Sequence, residues 1–141
     1  MPQKWWVRGM IAGLMALLVS ACSSPRPGEA EIPYGAKVTH RAVFIGKNYH
    51  DAVGTISLYQ SDEPAVIVLE PNFSLSGPKD AVVAIGRNGG QSRTGLGPLL
   101  RNSGRQAYAV PDGVRIDRYN EVWLWSDNRG IPLGLARFVP I

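Results

Sequence analysis

Turn sequences cut this chain too often for long helices to form. The clusters Ser61-Asp62-Glu63-Pro64, Ser76-Gly77-Pro78-Lys79-Asp80, Asn88-Gly89-Gly90, Pro111-Asp112-Gly113 and Asp127-Asn128-Arg129-Gly130 follow one another at short spacing. They are rich in residues that preset φ, tolerate a left-handed backbone or bond locally to it. The runs between them are apolar or alternating and only a few residues long. Strands are expected over Val38–Ile45, Thr55–Gln60, Ala65–Glu70, Ala81–Arg87, Arg105–Val110, Tyr119–Ser126 and Leu135–Val139. No window carries a helical period, and Leu96 to Leu100 is at most one turn, broken by Pro98. The pattern predicts an all-β domain, an antiparallel sandwich or barrel of about seven to nine short strands.

Within that pattern Tyr119–Ser126 is the central strand. Val122, Leu124 and Ser126 alternate onto one face, and Tyr119, Glu121, Trp123 and Trp125 onto the other. With apolar side chains on both faces, neither can be left in water, so the strand must be covered on both sides. Tyr119, Trp123 and Trp125 are expected to fill core rather than line a pocket.

The first residues read as an export signal. Lys4 and Arg8 form a positive start, and an apolar run from Met10 to Val19 follows. That run is too short for a hydrocarbon core that needs ~20 apolar residues. It ends in Val19-Ser20-Ala21-Cys22, which resembles the bacterial lipobox. The resemblance implies cleavage before Cys22 and acylation of its thiol, with several chains making the attachment effectively permanent. Ser23 is not the aspartate that retains lipoproteins at an inner membrane, so the periplasmic face of the outer membrane is favoured in a two-membrane cell. The expected organisation is a signal peptide over 1–21, a lipidated cysteine and flexible tether over 22–36, and one β domain over 37–141. The tether assignment rests on the Pro- and Gly-rich stretch Ser23 to Ala36.

The remaining composition closes several functional classes. The formal charge of +4 drops by two when Lys4 and Arg8 leave, too weak a balance to argue for nucleic acid. All three methionines leave as well, and the only cysteine is Cys22. The mature domain therefore has no disulfide, free thiol or thioether to offer redox or soft-metal chemistry. His40 shares a strand face with Val38, Ala42 and Phe44 and is expected to be a packed rim residue. His50, beside Asp51 in an expected loop, is the freer candidate for ligand binding. Two isolated histidines do not make a metal site. Gly86 to Gly97 is glycine-rich but lacks the Lys-Ser/Thr ending of a phosphate loop, and is expected to be a mobile surface loop. No Gly-x-Ser-x-Gly occurs, and no catalytic set is expected. Arg87, Arg93, Arg101 and Arg105 cluster in this region, and guanidinium forks suit carboxylates and phosphates.

From about His40 to Phe138 the chain resembles the DM-thirteen domain, the electron-transfer domain also found in Skeletor-like proteins. The resemblance is carried by Val53-Gly54-Thr55-Ile56-Ser57-Leu58, Ala65–Glu70 with Asn72-Phe73, and Gly77-Pro78-Lys79-Asp80-Ala81-Val82-Val83. It continues through Leu96-Gly97-Pro98-Leu99, Gly104 to Pro111, Tyr119 to Trp125 and Leu133 to Phe138. It implies an all-β fold similar to the sandwiches of DOMON-type domains. It also implies a redox role centred on a cysteine directly after the tryptophan of the central strand. Here that position is Ser126, nearly isosteric but without a thiolate. Haem, if bound, would be left to His50 and His40.

Two functions are therefore expected in order. The first is a non-enzymatic, lipid-anchored binding module without a cofactor or metal. It would meet an envelope protein or anionic polymer through loop residues such as His50, Arg87, Arg93 and Arg101. The alternative is an electron-transfer component.

Overall fold

The computed structural model describes residues 26–141. The signal peptide over 1–21, Cys22 and tether residues 23–25 lie outside the described residues. The strands, in chain order, are β1 (Lys37–Gly46), β2 (Ala52–Val53), β3 (Thr55–Gln60), β4 (Val66–Leu69), β5 (Ser74–Leu75) and β6 (Ala81–Arg87). They continue with β7 (Ser92–Pro98), β8 (Gln106–Ala109), β9 (Glu121–Ser126), β10 (Ile131–Arg137) and β11 (Val139–Pro140). A single 3-10 turn, Ile116–Arg118, interrupts the run between β8 and β9.

The main sheet is antiparallel and runs β7-β6-β9-β10-β1-β3-β4-β8, with β11 added to β1 and the short pair β2-β5 set apart. Strand β1 is what curls it. Residues 37–43 pair with β3, whereas Phe44, Ile45 and Gly46 pair with β10, so one strand passes from one half of the sheet to the other. A register shift between Val38 and His40 bends it further, as a β-bulge does in a strand that must coil. The two ends of the sheet, β7 and β8, come close enough to leave a nearly closed barrel. The expected all-β antiparallel architecture is what forms.

Alternation then sorts the side chains. Phe44, Ile56, Leu58, Ile67, Leu69, Val83, Ile85, Tyr108, Val122, Leu124 and Leu133 point inward into one core and are almost wholly buried. Each fully buried aliphatic or aromatic chain of this kind contributes roughly 1.5–3 kcal/mol. In β10 the inward phase shifts, with Leu133 facing the core and Leu135 the outside, because the register shifts between Pro132 and Gly134.

Strand β9 lies between β6 and β10, as its two apolar faces require. Val122, Leu124 and Ser126 enter the core. Trp123 is 5% exposed yet faces outward, grouped with Ala84, Leu135 and Trp125. Its cover is the β6–β7 hairpin, which corrects the expectation of a mobile loop over Gly86–Gly97. Those residues hold a seven-residue strand paired along β6 and a tight turn. The turn lies over the indole, where a Cβ on Gly90 (φ +82°) would stand 3.1 Å from the Trp123 ring. The Gly90 N–H donates to the buried Glu121 carboxylate at 3.2 Å, and the Trp123 indole N–H lies 3.4 Å from the same oxygen.

The tether is corrected too. Gly28 and Glu29 bridge to Ala107 of β8, and the Ala30 N–H donates to the Ala107 carbonyl at 3.1 Å. Ala30 is buried against Val66, Val68 and Ala107, with Ile32 alongside. Pro27 meets Gly97 of β7, and Gly28 meets Leu100. The arm over 27–32 therefore lies across the seam between β7 and β8, because the edge of β8 offers unpaired backbone groups and an apolar outer face. Side chains complete the closure. The Tyr108 hydroxyl lies 3.1 Å from the Pro98 carbonyl and 2.9 Å from Gln106 Oε1, and it accepts the Leu100 N–H at 3.1 Å.

Candidate ligand-binding site

Antiparallel pairing sets the chain turns at two ends of the barrel. One end carries the start of β1, the end of β3, the start of β9 and the end of β10. Here the segment over 111–120 folds back across the opening, and Ile116 and Tyr119 pack onto the core from above. Between this cover and strands β1, β3 and β11 lies a cavity of about 350 Å³, within the ~300–1,000 Å³ range of small-molecule sites.

Its walls are apolar, from Leu58, Ile116, Phe138 and Pro140, and its polar groups are His40, Gln60, Asp117, Tyr119 and Asn120. Thr39 organises the polar side. Its hydroxyl donates to Gln60 Oε1 at 2.6 Å, and His40 Nδ1 lies 3.0 Å from the same hydroxyl oxygen. A hydroxyl has one proton to give, so His40 Nδ1–H is the donor to Thr39. Its Nε2 is then left as an acceptor in the neutral ring. The His40 ring meets Phe138 edge-on at 6.1 Å. Tyr119 is held by a 2.8 Å hydrogen bond between its hydroxyl and Thr94 of β7. Asp117 is paired with Arg115 at 2.8 Å, which offsets its charge at the rim. The cavity can thus accept a small, partly apolar group that brings a hydrogen-bond donor.

The expected site residues are dispersed. Of the histidines, only His40 lines this cavity. His50 lies beyond the other end of β1, where its Nδ1–H donates to the Ser76 carbonyl at 3.2 Å. Six residues of strand, 41–46, separate the two histidines, roughly 20 Å at ~3.3 Å per residue, so they cannot flank one haem. Arg87 is exposed at the β6–β7 turn. Arg93 stacks on the Trp125 ring, its guanidinium carbon 3.6 Å from the centroid, a cation–π contact that covers the half-buried indole. Arg101 lies past the far end of β7 and donates to the Arg105 carbonyl at 2.7 Å. These arginines do not converge on one ligand.

Ser126 is wholly buried. Its hydroxyl donates to Asp80 Oδ2 at 2.9 Å and accepts the Arg129 N–H at 3.3 Å, while the Asn128 N–H donates to the same Asp80 oxygen at 3.0 Å. The Asn128 amide and then the Ser126 hydroxyl hold the Asp80 carboxyl below its ordinary pKa, since both favour the charged form. The position fixes the turn after β9 and offers no group to a partner. Among the described residues, no three His, Cys, Asp or Glu gather to hold a metal ion. Gln60, Asn120 and Phe138 were not legible as site residues, because only tertiary closure brings strand ends so distant in sequence to one opening. Comparison with protein-family models, curated proteins and solved structures finds no match.

Proposed function

We propose that this protein is a non-enzymatic binding module of the cell envelope, anchored through Cys22, that holds a small, partly apolar group in the barrel mouth. The observation that carries this reading is the half-covered cavity with apolar walls and the ordered Gln60–Thr39–His40 chain. The anchor follows from the lipobox resemblance of Val19–Cys22. The bound group can be a free small molecule or the exposed end of an envelope protein or polymer. The all-β domain is compatible with the DM-thirteen resemblance, which thereby stays part of the proposal.

The test is to follow the His40 ring and the Gln60 and Asn120 amides by NMR while small-molecule extracts of envelope fractions are added. Shifts centred on these residues are expected, and Asn120→Trp, placed on the exposed rim, should abolish them. Shifts that spare the mouth and fall on the barrel wall would remove the cavity from the account. The electron-transfer alternative would need a cofactor held without paired histidines and without a thiolate at Ser126.

A further inference from the structure

The end of the barrel opposite the mouth is distinguished by where the chain enters it. Gly46, Ser126, Ala81, Pro98, Gln106, Leu69 and Thr55 are brought to this end by strand register. The arm reaches the barrel here, with Pro27 against Gly97 and Gly28 paired to Ala107, before running toward the other end to start β1. Cys22 is four residues before Arg26, and at no more than ~3.6 Å per residue that spans at most ~14 Å. A leash this short, fastened to the seam, brings this end of the barrel to any membrane that holds Cys22.

The surface found there suits such a neighbour. Leu100 is 42% exposed beside the arm, and Lys79 and Arg101 flank it around one shallow depression. Arg105 follows on the same loop, and Arg26 arrives with the arm; all four basic side chains are exposed. Of the nearby carboxylates, Asp80 is turned to Ser126 and Asn128, and Glu29 lies on the arm. Asp51 and Asp127 belong to neighbouring loops of this end. Tyr49, fully exposed at the β1–β2 turn in a left-handed conformation (φ 64°), adds an aromatic ring of the kind favoured at bilayer interfaces.

We propose that the Lys79–Leu100–Arg101 loop face docks on the headgroups of an anionic bilayer, so that the barrel stands on its seam end with the mouth cavity directed away from the membrane. This rests on the anchored reading of Cys22. Lysine and arginine near an anionic surface are drawn to it, and the attraction fades within a Debye length. A leash of at most ~14 Å lets them reach the surface and come within that range. The apolar patch of Val43, Ile45 and Val139 between Arg41 and Arg137 lies on β1 and β11, across the strand order from the seam. It would then run up the side wall, with Val139, in register with Arg41, pointing away from the membrane.

The full chain, purified from membranes and reconstituted in equal parts phosphatidylglycerol and phosphatidylcholine, is photolysed with a diazirine-bearing phospholipid and mapped by mass spectrometry. Labels on 99–105, Lys79 and Tyr49 are expected. Labels confined to Val139 and the 111–120 cover, toward the mouth, would overturn the orientation. The intact mass of the same sample reports acylation at Cys22 separately, so failure of the anchor is distinguishable from failure of the docking face. In parallel, an unlipidated chain beginning at Ser23, without the apolar Met10–Val19 run, is pelleted with the same vesicles and with pure phosphatidylcholine. Binding to the anionic vesicles alone is expected, with about a five-fold loss for each of Lys79→Gln and Arg101→Gln, provided near-ultraviolet circular dichroism shows an intact fold. Equal binding to both vesicles, or none to either, would overturn headgroup recognition.

Discussion

At Ser126 a side chain that would be judged by its chemistry is used for geometry. Its hydroxyl spends its proton on Asp80 and its lone pair on Arg129, joining β6 to the turn after β9. Ser126→Ala leaves the Arg129 amide and the Asp80 carboxylate each short of a partner, and the lost hydrogen bonds of the buried hydroxyl should cost about 1 kcal/mol in urea unfolding. The Asp80 carboxyl, held below its usual pKa by the Asn128 amide and the Ser126 hydroxyl, contributes stability above the unfolded carboxylate range, near pH ~4. That contribution is lost as pH falls through the lowered folded value. The stability gap between wild type and Asp80→Asn should therefore be present at neutral pH and shrink below pH ~4, as read by thermal unfolding across pH. Tyr108 titrates at the other extreme, because burial pushes its hydroxyl up to about 12. The folded state keeps that proton longer than the unfolded chain does, so stability should fall as pH rises from ~10 toward the folded value. Tyr108→Phe should remove this alkaline limb and cost about 1–2 kcal/mol at neutral pH. None of these roles could be read from residue type, since the partners of Ser126 and Tyr108 depend on which strand ends meet.

The arm and the β6–β7 hairpin depart furthest from what composition suggests. Both are rich in glycine and polar residues, the mark of a tether or a loop, yet both cover apolar surface. In the hairpin, glycine lets the backbone pass close over Trp123. Gly90→Val would meet the ring in a backbone conformation that side chains rarely adopt and should destabilise by about 1–3 kcal/mol. The spectroscopic sign would be a red-shifted Trp123 emission as the indole opens to water. In the arm, the same property lets Gly28 lie against Leu100, where a Cβ would stand 2.7 Å from that side chain. A chain beginning at Lys37 should lose about 2 kcal/mol or more, the burial of Ala30 and part of Ile32 plus the pairing to Ala107. Hydrogen exchange should show the Ala30 amide protected in the longer chain, and Ala107 exchanging faster once the arm is gone. The strands themselves were legible. Ala81–Arg87 and Thr55–Gln60 form as the alternating and apolar runs foretell, because a period of two is local information. Strand β7 was not, since its glycine, arginine and proline content hides a strand whose partner supplies the pairing.

Taken whole, the molecule is a barrel with two unlike ends, a covered cavity at one and, at the other, a seam closed by the arm. The sequence reading of arginines clustered in one loop region gives way to this division, with His40 at the mouth and Arg101 at the opposite end. A haem titration of the exported domain should leave the Soret region without a stoichiometric bound species, since no described pair of ligands faces one cavity. A bound band lost in His40→Ala would instead assign the mouth to haem. What the chain determined by itself was the fold class, the positions of most strands and the two-sided burial of Glu121–Ser126; the address expected from Val19–Cys22 falls outside the described residues. Those properties reside in short-range periodicity and in contiguous motifs, which need no partner to be recognised. Tertiary structure alone decided that Trp123 is covered by a hairpin and that an arm closes the seam. It also decided that Gln60, His40 and Tyr119 share one opening. Each depends on which distant edges meet when the sheet curls, and the curl is set by register shifts in β1 and β10 that no local pattern announces.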